Sequence, residues 1–218
     1  MTTSLDSSSH SDSHSSSDAT PITVCVLGGG NFGTVIANIL AENGHTVRLW
    51  VRRQALADDI NQRHENAQYL PGVAIHEGVT AYTDLATCVD GMGIVFMSIP
   101  SKSVQQVASQ VAPHLEPNAI VVSTTKGIQT DGFKLMSELL EEEFDGHPVV
   151  AMSGPNIAPE IAQKQFSATV VAHESLAVCD QVADILHNAY FRVYSNTDRF
   201  SALSIQYLLK TSPLYFSP

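Results

Sequence analysis

The chain has 218 residues, of which 44% are hydrophobic and 15% are charged, and its 11 basic and 22 acidic side chains give a formal net charge of −11. This length predicts one substantial hydrophobic core rather than two full domains, and the acidic balance argues against nucleic acid or an anionic membrane as a partner. The sequence has neither an apolar stretch of bilayer length nor a signal-peptide core, so we expect a soluble, cytoplasmic protein.

Residues 1–20 contain mainly Ser, Asp, Thr and His, and are predicted to be a disordered tail because they have little apolar surface to bury. His10 and His14 have a spacing that could hold a metal on a helix, but a serine-rich segment is a poor helix former. Three cysteines occur, none of them in a C-x-x-C pair: Cys25, Cys88 and Cys179. We expect reduced, structural cysteines and no metal site.

The most informative pattern is a predicted strand that leads into a glycine turn and then a helix. Residues 22–27 read ITVCVL, and residues 28–33 read GGGNFG, which matches G-x-G-x-x-G. Gly28 permits the tight turn, Gly30 lets backbone N–H groups approach a pyrophosphate, and Gly33 lets the helix pack against the strand. The pattern predicts a dinucleotide site, with a plain strand-to-helix turn as the alternative.

Strands and helices alternate along the rest of the chain. The other predicted strands are 46–51, 79–82, 93–99, 119–123, 149–152, 168–172 and 191–194. The predicted helices are 34–43, 55–64, a short one after Asp84, one after Pro100, 133–143, a short one from Ala158, and 175–186. The expected helix caps are either Ser101 or Ser103, and Asp131. This alternation predicts an α/β fold with an open, doubly wound, mostly parallel sheet of the Rossmann type, and we assign residues 21–197 to one dinucleotide-binding domain.

Ligands of such sheets bind beyond the carboxyl ends of the strands. The second strand ends at Arg52 and Arg53, where NAD-selective proteins usually place an acid, so the sequence favours NADP over NAD. Lys126 follows the fifth strand and offers an ammonium group at the crevice. The turn at 153–156 precedes a helix and offers backbone N–H groups to an anion. The alternatives are solvated surface cations and an ordinary helix start.

Several ordered motifs together resemble the bacterial NAD(P)-dependent glycerol-3-phosphate dehydrogenases, from about Ile22 to Asp198. These motifs are GGGNFGT at 28–34, NGHTVRLW at 43–50, NAQYLP at 66–71, TKGI at 125–128, SGPN at 153–156 with Ala158 and Glu160, and FRVYSN at 191–196. The resemblance implies reversible hydride transfer between sn-glycerol 3-phosphate and NAD(P)⁺, which gives dihydroxyacetone phosphate and NAD(P)H. This reaction is the first step towards the glycerophospholipid backbone.

The resemblance also implies roles for individual residues. Cofactor contacts are implied for Asn31, Phe32, Arg52, Lys126 and Ala158. Lys126 would lie between cofactor and substrate, and Gly154 and Asn156 would line the substrate site. Asn31 stands where the family more often has serine, which keeps a hydrogen-bonding side chain.

After Asp198 the sequence departs from the family pattern, which continues into Gly-Ala-Leu-Lys-Asn, with a general acid/base lysine, and then a helical domain. Residues 198–218 form a divergent tail instead, which suggests a frameshift near Asp198. Lys210 lies near the expected lysine, but in a different register and without the flanking glycines and asparagine. We expect a fragment with impaired activity, and exposed apolar surface that favours self-association into a homo-oligomer. A non-catalytic NAD(P)-binding module, and another hydroxy-acid or sugar-phosphate dehydrogenase of the same fold, remain open alternatives.

Overall fold

The computed structural model describes residues 20–125, 127 and 135–198. The strands of this part are β1 (Thr23–Leu27), β2 (Thr46–Trp50), β3 (Val79–Tyr82), β4 (Ile94–Met97), β5 (Ile120–Ser123), β6 (Val149–Ser153), β7 (Ser167–Ala172) and β8 (Phe191–Asn196). The helices are α1 (Asn31–Glu42), α2 (Gln54–Asp58), α3 (Leu85–Val89), α4 (Ser101–Val111), α5 (Met136–Glu143), α6 (Ala158–Ala162) and α7 (Leu176–Leu186). A π-helical turn (Asp59–Arg63) continues α2, and a 3₁₀ turn (Ala112–His114) follows α4. Within these ranges, no helix is long and apolar enough to cross a bilayer.

The strands form one sheet in the order β3-β2-β1-β4-β5-β6-β7-β8. The β6–β7 pair is antiparallel, and the other neighbouring pairs are parallel. From β1 the chain first adds strands on one side, at β2 and β3, and then crosses to the other side at β4. This reversal of direction leaves a crevice at the carboxyl ends of β1 and β4. The predicted open, doubly wound, mostly parallel sheet is confirmed.

The hydrophobic core has two layers, one on each face of the sheet. Alternate residues of β1 enter opposite layers, with Val24 and Val26 packed in the layer of α1, α6 and α7. Cys25 and Leu27 pack in the layer of α3, α4 and α5. The apolar run of β4 divides in the same way, as expected for a parallel strand covered on both faces. Because β1 and β4 are packed against helices on both faces, the strand ends that form the crevice are held in place.

Two helix starts differ from their predictions. α1 begins at Asn31, three residues before the predicted position, because Gly30 has the extended N-cap conformation and its carbonyl accepts the Thr34 N–H at 3.0 Å. The prediction that Ser101 or Ser103 caps α4 is wrong: Ser101 is the first helical residue, and no side chain in the described ranges caps this start. Pro100 is at the N-cap, since its fixed φ suits the entry to a helix.

The other predicted helix starts have mixed outcomes. α3 begins directly after Asp84, as predicted, and Asp84 is its N-cap, since Oδ1 accepts the Thr87 N–H at 2.8 Å. Hydrogen bonds from the Thr87 hydroxyl and N–H lower the pKa of the Asp84 carboxyl. Asp131 lies outside the described residues, as does the predicted start of its helix. The predicted helix 55–64 is α2 with its π-helical turn, and it ends at His64 in the left-handed conformation (φ 51°).

The three cysteines are buried and unbridged, as predicted for structural residues. Cys25 and Cys88 are 63 positions apart in sequence, yet their Sγ atoms lie 3.4 Å apart between β1 and α3. Burial and the neighbouring thiol raise the pKa of Cys25 well above its ordinary value. Because the thiolate is the reactive form, Cys25 acts as a core residue rather than a nucleophile.

We expect His45 to make the fold sensitive to acid. The residue is 3% exposed, Nδ1 accepts the Ile22 N–H at 3.3 Å, and Nε2 has no hydrogen-bond partner among the described residues. Burial lowers its pKa from 6.5, so the unfolded chain takes up the proton first as the pH falls. The stabilisation from neutral His45 is therefore complete above pH 6.5 and is lost progressively below it, down to the folded pKa.

Replacing His45 with asparagine keeps a side-chain acceptor for the Ile22 N–H and removes the titrating ring. We expect the melting temperature of the wild type to fall more than that of His45→Asn between about pH 7.5 and about pH 5.5. Thermal unfolding followed by circular dichroism at both pH values measures this difference. Equal losses in the two proteins would contradict the assignment of acid sensitivity to His45.

Candidate functional site

A cleft of about 360 Å³ opens at the carboxyl ends of β1, β2 and β4, where the sheet topology leaves its crevice. Its described lining residues are Gly28, Gly29, Gly30, Trp50, Val51, Arg52, Arg53, Leu56, Tyr69, Ser98, Ile99 and Pro100. Two of these are arginines and none is acidic, although the whole chain carries a net charge of −11. The cleft is therefore a local region of positive charge on an acidic protein, which suits an anionic ligand.

The glycines of the turn that follows β1 differ in how much space surrounds them. Gly28 has φ +118°, and a Cβ at this position would lie 2.3 Å from the Ser98 carbonyl oxygen. A Cβ at Gly33 would lie 1.9 Å from the Gly28 carbonyl oxygen, so only glycine lets α1 pack this closely on the turn. A Cβ at Gly30 would meet no atom within 4 Å. Gly28 and Gly33 are thus required by the fold, whereas Gly30 faces open space.

The first turn of α1 adds backbone donors to the cleft. The first intrahelical bond is from Thr34 N–H to the Gly30 carbonyl, so the N–H groups of Asn31, Phe32 and Gly33 precede it. No acidic side chain lies in this turn. The positive end of a helix of 12 residues is therefore available to a negatively charged group.

Arginines form the part of the cleft at the end of β2. Arg52 and Arg53 are both exposed, and the Arg53 guanidinium donates to Gln68 Oε1. Trp50 is held by a 3.0 Å hydrogen bond from its Nε1 to the Thr83 carbonyl. Arg52 and the glycine turn therefore line one cleft, the arrangement on which the predicted NADP preference depends.

Hydroxyl groups hold together the ends of β4 and β5 beside the cleft. Ser98 Oγ and Thr124 Oγ1 are 2.8 Å apart, and Thr124 Oγ1 also donates to the Met97 carbonyl at 3.0 Å. Thr125 Oγ1 donates to the Ile99 carbonyl at 2.8 Å. These bonds fix the backbone of Ser98 and Ile99, which forms the wall opposite the arginines.

The turn after β6 contains an unsatisfied buried acceptor. Thr169 Oγ1 donates its single proton to the Ser153 carbonyl at 3.0 Å and therefore accepts from Asn156 Nδ2, also at 3.0 Å. This fixes the amide so that Asn156 Oδ1 points away from Thr169, and that buried oxygen has no hydrogen-bond partner among the described residues. A buried acceptor without a hydrogen bond lowers the stability of the fold by about 1–3 kcal/mol unless a ligand or water donates to it.

Two other predicted site residues lie near Asn156 in sequence. Gly154 packs against β7, and a Cβ there would lie 2.8 Å from the Ala168 carbonyl oxygen. Ala158 is buried at the first position of α6, and α6 contacts α1. The structure therefore places the segment with the predicted substrate residues beside the helix that starts at the glycine turn.

Lys126 and Lys210 lie outside the described residues, and their predicted roles remain predictions. Gly127 is described, and a Cβ there would lie 3.8 Å from Ser101 Cβ, at the start of α4. The chain that follows β5 therefore passes the helix that begins at the cleft.

The family model for the N-terminus of NAD-dependent glycerol-3-phosphate dehydrogenase matches residues 23–179. The chain belongs to this family. It is 48% identical over 178 residues to a glycerol-3-phosphate dehydrogenase [NAD(P)+] from Saccharophagus degradans and 47% identical over 179 residues to one from Pseudomonas entomophila. These matches cover 82% and 81% of this chain and 50% and 52% of the relatives, so the chain spans about half the length of the curated relatives it matches.

A solved structure of a glycerol-3-phosphate dehydrogenase from Coxiella burnetii is also similar. It superposes with a TM-score of 0.77 at 28% identity, over 82% of this chain and 55% of that protein. The resemblance stated from sequence motifs, covering about residues 22–198, is thus confirmed at the level of family and fold. The ligand contacts of individual residues remain predictions.

Sequence reasoning assigned no role to three residues around the cleft. Trp50, Asn66 and Tyr69 lie in motifs that carried the family resemblance, and Trp50 and Tyr69 line the cleft. Asn66 is fully buried and donates to the Gly29 carbonyl behind the cleft wall. No local pattern in the sequence marks Asn66, because an asparagine in a loop is ordinarily an exposed turn residue.

Proposed function

We propose that the protein is an NAD(P)-dependent oxidoreductase of the glycerol-3-phosphate dehydrogenase family that interconverts sn-glycerol 3-phosphate and dihydroxyacetone phosphate. The observation that carries the proposal is the cleft in which the glycine turn, the N-terminus of α1 and Arg52 meet, with no carboxylate among its described lining residues. The family match supplies the reaction class, since the relatives are named for this dehydrogenase activity.

The residues present fit a dinucleotide. The open space at Gly30 and the N–H groups of the first turn of α1 suit a pyrophosphate. The Arg52 guanidinium suits an adenosine 2′-phosphate, because it is always charged and offers a planar set of donors. Bound NAD(P) would supply hydride transfer. The protein's part is to bind and orient the dinucleotide along the wall formed by Ser98 and Ile99.

On the substrate side, the proposal uses the buried acceptor of Asn156. A substrate hydroxyl that donates to Asn156 Oδ1 would satisfy this atom and would fix the orientation of the reacting carbon. Gly154 lets the turn that carries Asn156 pack closely on β7, and Lys126 would provide positive charge beside a carbonyl oxygen that gains negative charge. The roles of Gly154, Asn156, Ala158 and Lys126 are part of the proposal.

The test uses the 218-residue chain in two steps. First, NADPH and NADH are titrated, and binding is followed by quenching of Trp50, which is the single tryptophan of the chain and lines the cleft. Second, the absorbance of NADPH is followed after addition of dihydroxyacetone phosphate, and a panel of hydroxy acids and sugar phosphates is assayed in the oxidative direction. Binding followed by turnover of dihydroxyacetone phosphate supports the proposal.

The other outcomes separate the alternatives. Binding without turnover of any substrate favours a nucleotide-binding module, and turnover of a different substrate identifies another dehydrogenase of the same fold. Absence of binding by either dinucleotide overturns the proposal. A cytoplasmic location and self-association into a homo-oligomer belong to the same proposal, and analytical ultracentrifugation of the purified chain tests the second.

A further inference from the structure

Asn66 has a set of bonds that the proposed chemistry does not use. It lies in the loop between the π-helical turn and β3, and its side chain is fully buried. Its Nδ2 donates to the Gly29 carbonyl at 3.0 Å and to Thr34 Oγ1 at 2.8 Å, and its Oδ1 accepts the Tyr69 N–H at 3.2 Å. One amide thus joins the glycine turn, the first turn of α1 and a loop residue of the cleft.

The bond to Gly29 determines which way the next N–H points. The Gly29 carbonyl and the Gly30 N–H belong to one planar trans peptide, in which the C=O and N–H directions are opposite. Anchoring this carbonyl to the buried Asn66 side chain turns the Gly30 N–H away from Asn66. Both flanking residues are glycines, which adopt many backbone conformations, so this peptide could rotate easily without an anchor.

We infer that Asn66 is a positioning residue that orients the Gly29–Gly30 peptide, so that the cleft presents an N–H donor rather than a carbonyl to the pyrophosphate of the dinucleotide. This inference rests on the proposed function of the cleft as a dinucleotide site. Asn66 donates to two groups, the Gly29 carbonyl in the glycine turn and the Thr34 hydroxyl in the first turn of α1. Thr34 is fully buried, as Asn66 is. An aspartate in place of Asn66 has the same shape but cannot donate to the Gly29 carbonyl.

Asn38 provides a matched control. Its Nδ2 donates to the Ala74 carbonyl at 2.9 Å, and its Oδ1 accepts the His76 N–H at 3.1 Å. It therefore ties the far end of the same loop to α1 in the way that Asn66 ties the near end, but it makes no bond to the glycine turn. Asn38→Asp introduces the same charge and loses the same kind of donor bond.

The experiment titrates NADPH and NADH into the wild type, Asn66→Asp, Asn66→Ala and Asn38→Asp, with Trp50 quenching as the signal and temperatures well below each melting point. We expect Asn66→Asp and Asn66→Ala to raise both dissociation constants by about 10-fold or more, since a hydrogen bond to a charged group is lost. The ratio of the two constants should stay as in the wild type, because Arg52 is unchanged. Asn38→Asp should change both constants by less than about 3-fold.

The two failures are distinguishable. If the wild type binds neither dinucleotide, the proposed function fails. If the wild type binds and the folded Asn66 variants bind equally well, or lose no more affinity than Asn38→Asp, the positioning role is wrong and Asn66 is only structural. Should Asn66→Asp not fold, the uncharged Asn66→Ala decides by the same comparison, and Asn66→Ser serves if both fail.

Discussion

Replacing Gly33 with alanine is expected to destabilise the fold strongly, whereas replacing Gly30 with alanine is expected to leave the fold nearly intact and weaken dinucleotide binding. The reason is steric in both cases. A Cβ at Gly33 would lie 1.9 Å from the Gly28 carbonyl oxygen and 3.0 Å from Ser98 Cβ, so the backbone must move. A Cβ at Gly30 would meet nothing within 4 Å, and would occupy space in the cleft instead.

The magnitudes separate the two variants. Overpacking at Gly33 should cost about 3 kcal/mol or more, which lowers the melting temperature of a chain of this size by about 6–12 °C. Gly30→Ala should cost less than about 1 kcal/mol, the difference between glycine and alanine at an N-cap. Its dissociation constant for NADPH should nevertheless rise by at least about 10-fold, because the methyl group lies where the phosphates need backbone donors.

Thermal unfolding and Trp50 quenching on the same samples check this pair. The two variants add the same single methyl group three positions apart, so each is the control for the other. A Gly30→Ala protein that binds NADPH as tightly as the wild type would place the pyrophosphate elsewhere. A Gly33→Ala protein as stable as the wild type would show that α1 can move away from the turn without cost.

The sequence predicted the parts of this site that depend on local patterns. The glycine turn, the order of strands and helices, and the helix start at Asp84 each follow from residues close together in the chain. The start of α1 and the failure of Ser101 and Ser103 as caps could not be read in this way, because glycine and proline at the N-cap positions fix those starts through backbone conformation alone.

The remaining features of the site depend on contacts between distant residues. Asn66 reaches Gly29 across 37 positions, and the Sγ atoms of Cys25 and Cys88 meet across 63. Asn156 Oδ1 is left without a donor because Thr169 donates its hydroxyl proton to the Ser153 carbonyl and therefore accepts from Asn156 Nδ2. No single-sequence periodicity encodes such pairings, since they arise only when strands and loops assemble.

Replacing Arg52 with alanine is expected to weaken NADPH binding by about 10-fold and NADH binding by less than about 3-fold. Arg52 lies at the end of β2, in the same cleft as the glycine turn. A charge-assisted hydrogen bond between guanidinium and phosphate is worth about 1.5–3 kcal/mol, and the exposure of Arg52 places its effect at the lower end of that range. NADH lacks the 2′-phosphate and does not depend on this bond.

Salt dependence provides a second readout for the same substitution. The NADPH affinity of the wild type should fall as ionic strength rises, and Arg52→Ala should show a weaker salt dependence, because a charged contact has been removed. Arg63→Ala is the matched control: Arg63 is exposed and pairs with Asp59 away from the cleft, so this variant makes the same change in net charge.

The pair of titrations decides between a specific contact and a general field effect. If Arg63→Ala weakens NADPH binding as much as Arg52→Ala, the overall charge of the protein controls affinity and the cleft has no 2′-phosphate contact at Arg52. If Arg52→Ala weakens NADPH and NADH equally, Arg52 acts on a part common to both dinucleotides, and the preference for NADP inferred from the end of β2 is wrong. A selective loss of NADPH affinity in Arg52→Ala alone places the adenosine 2′-phosphate beside that arginine and orients the dinucleotide across the carboxyl end of β1.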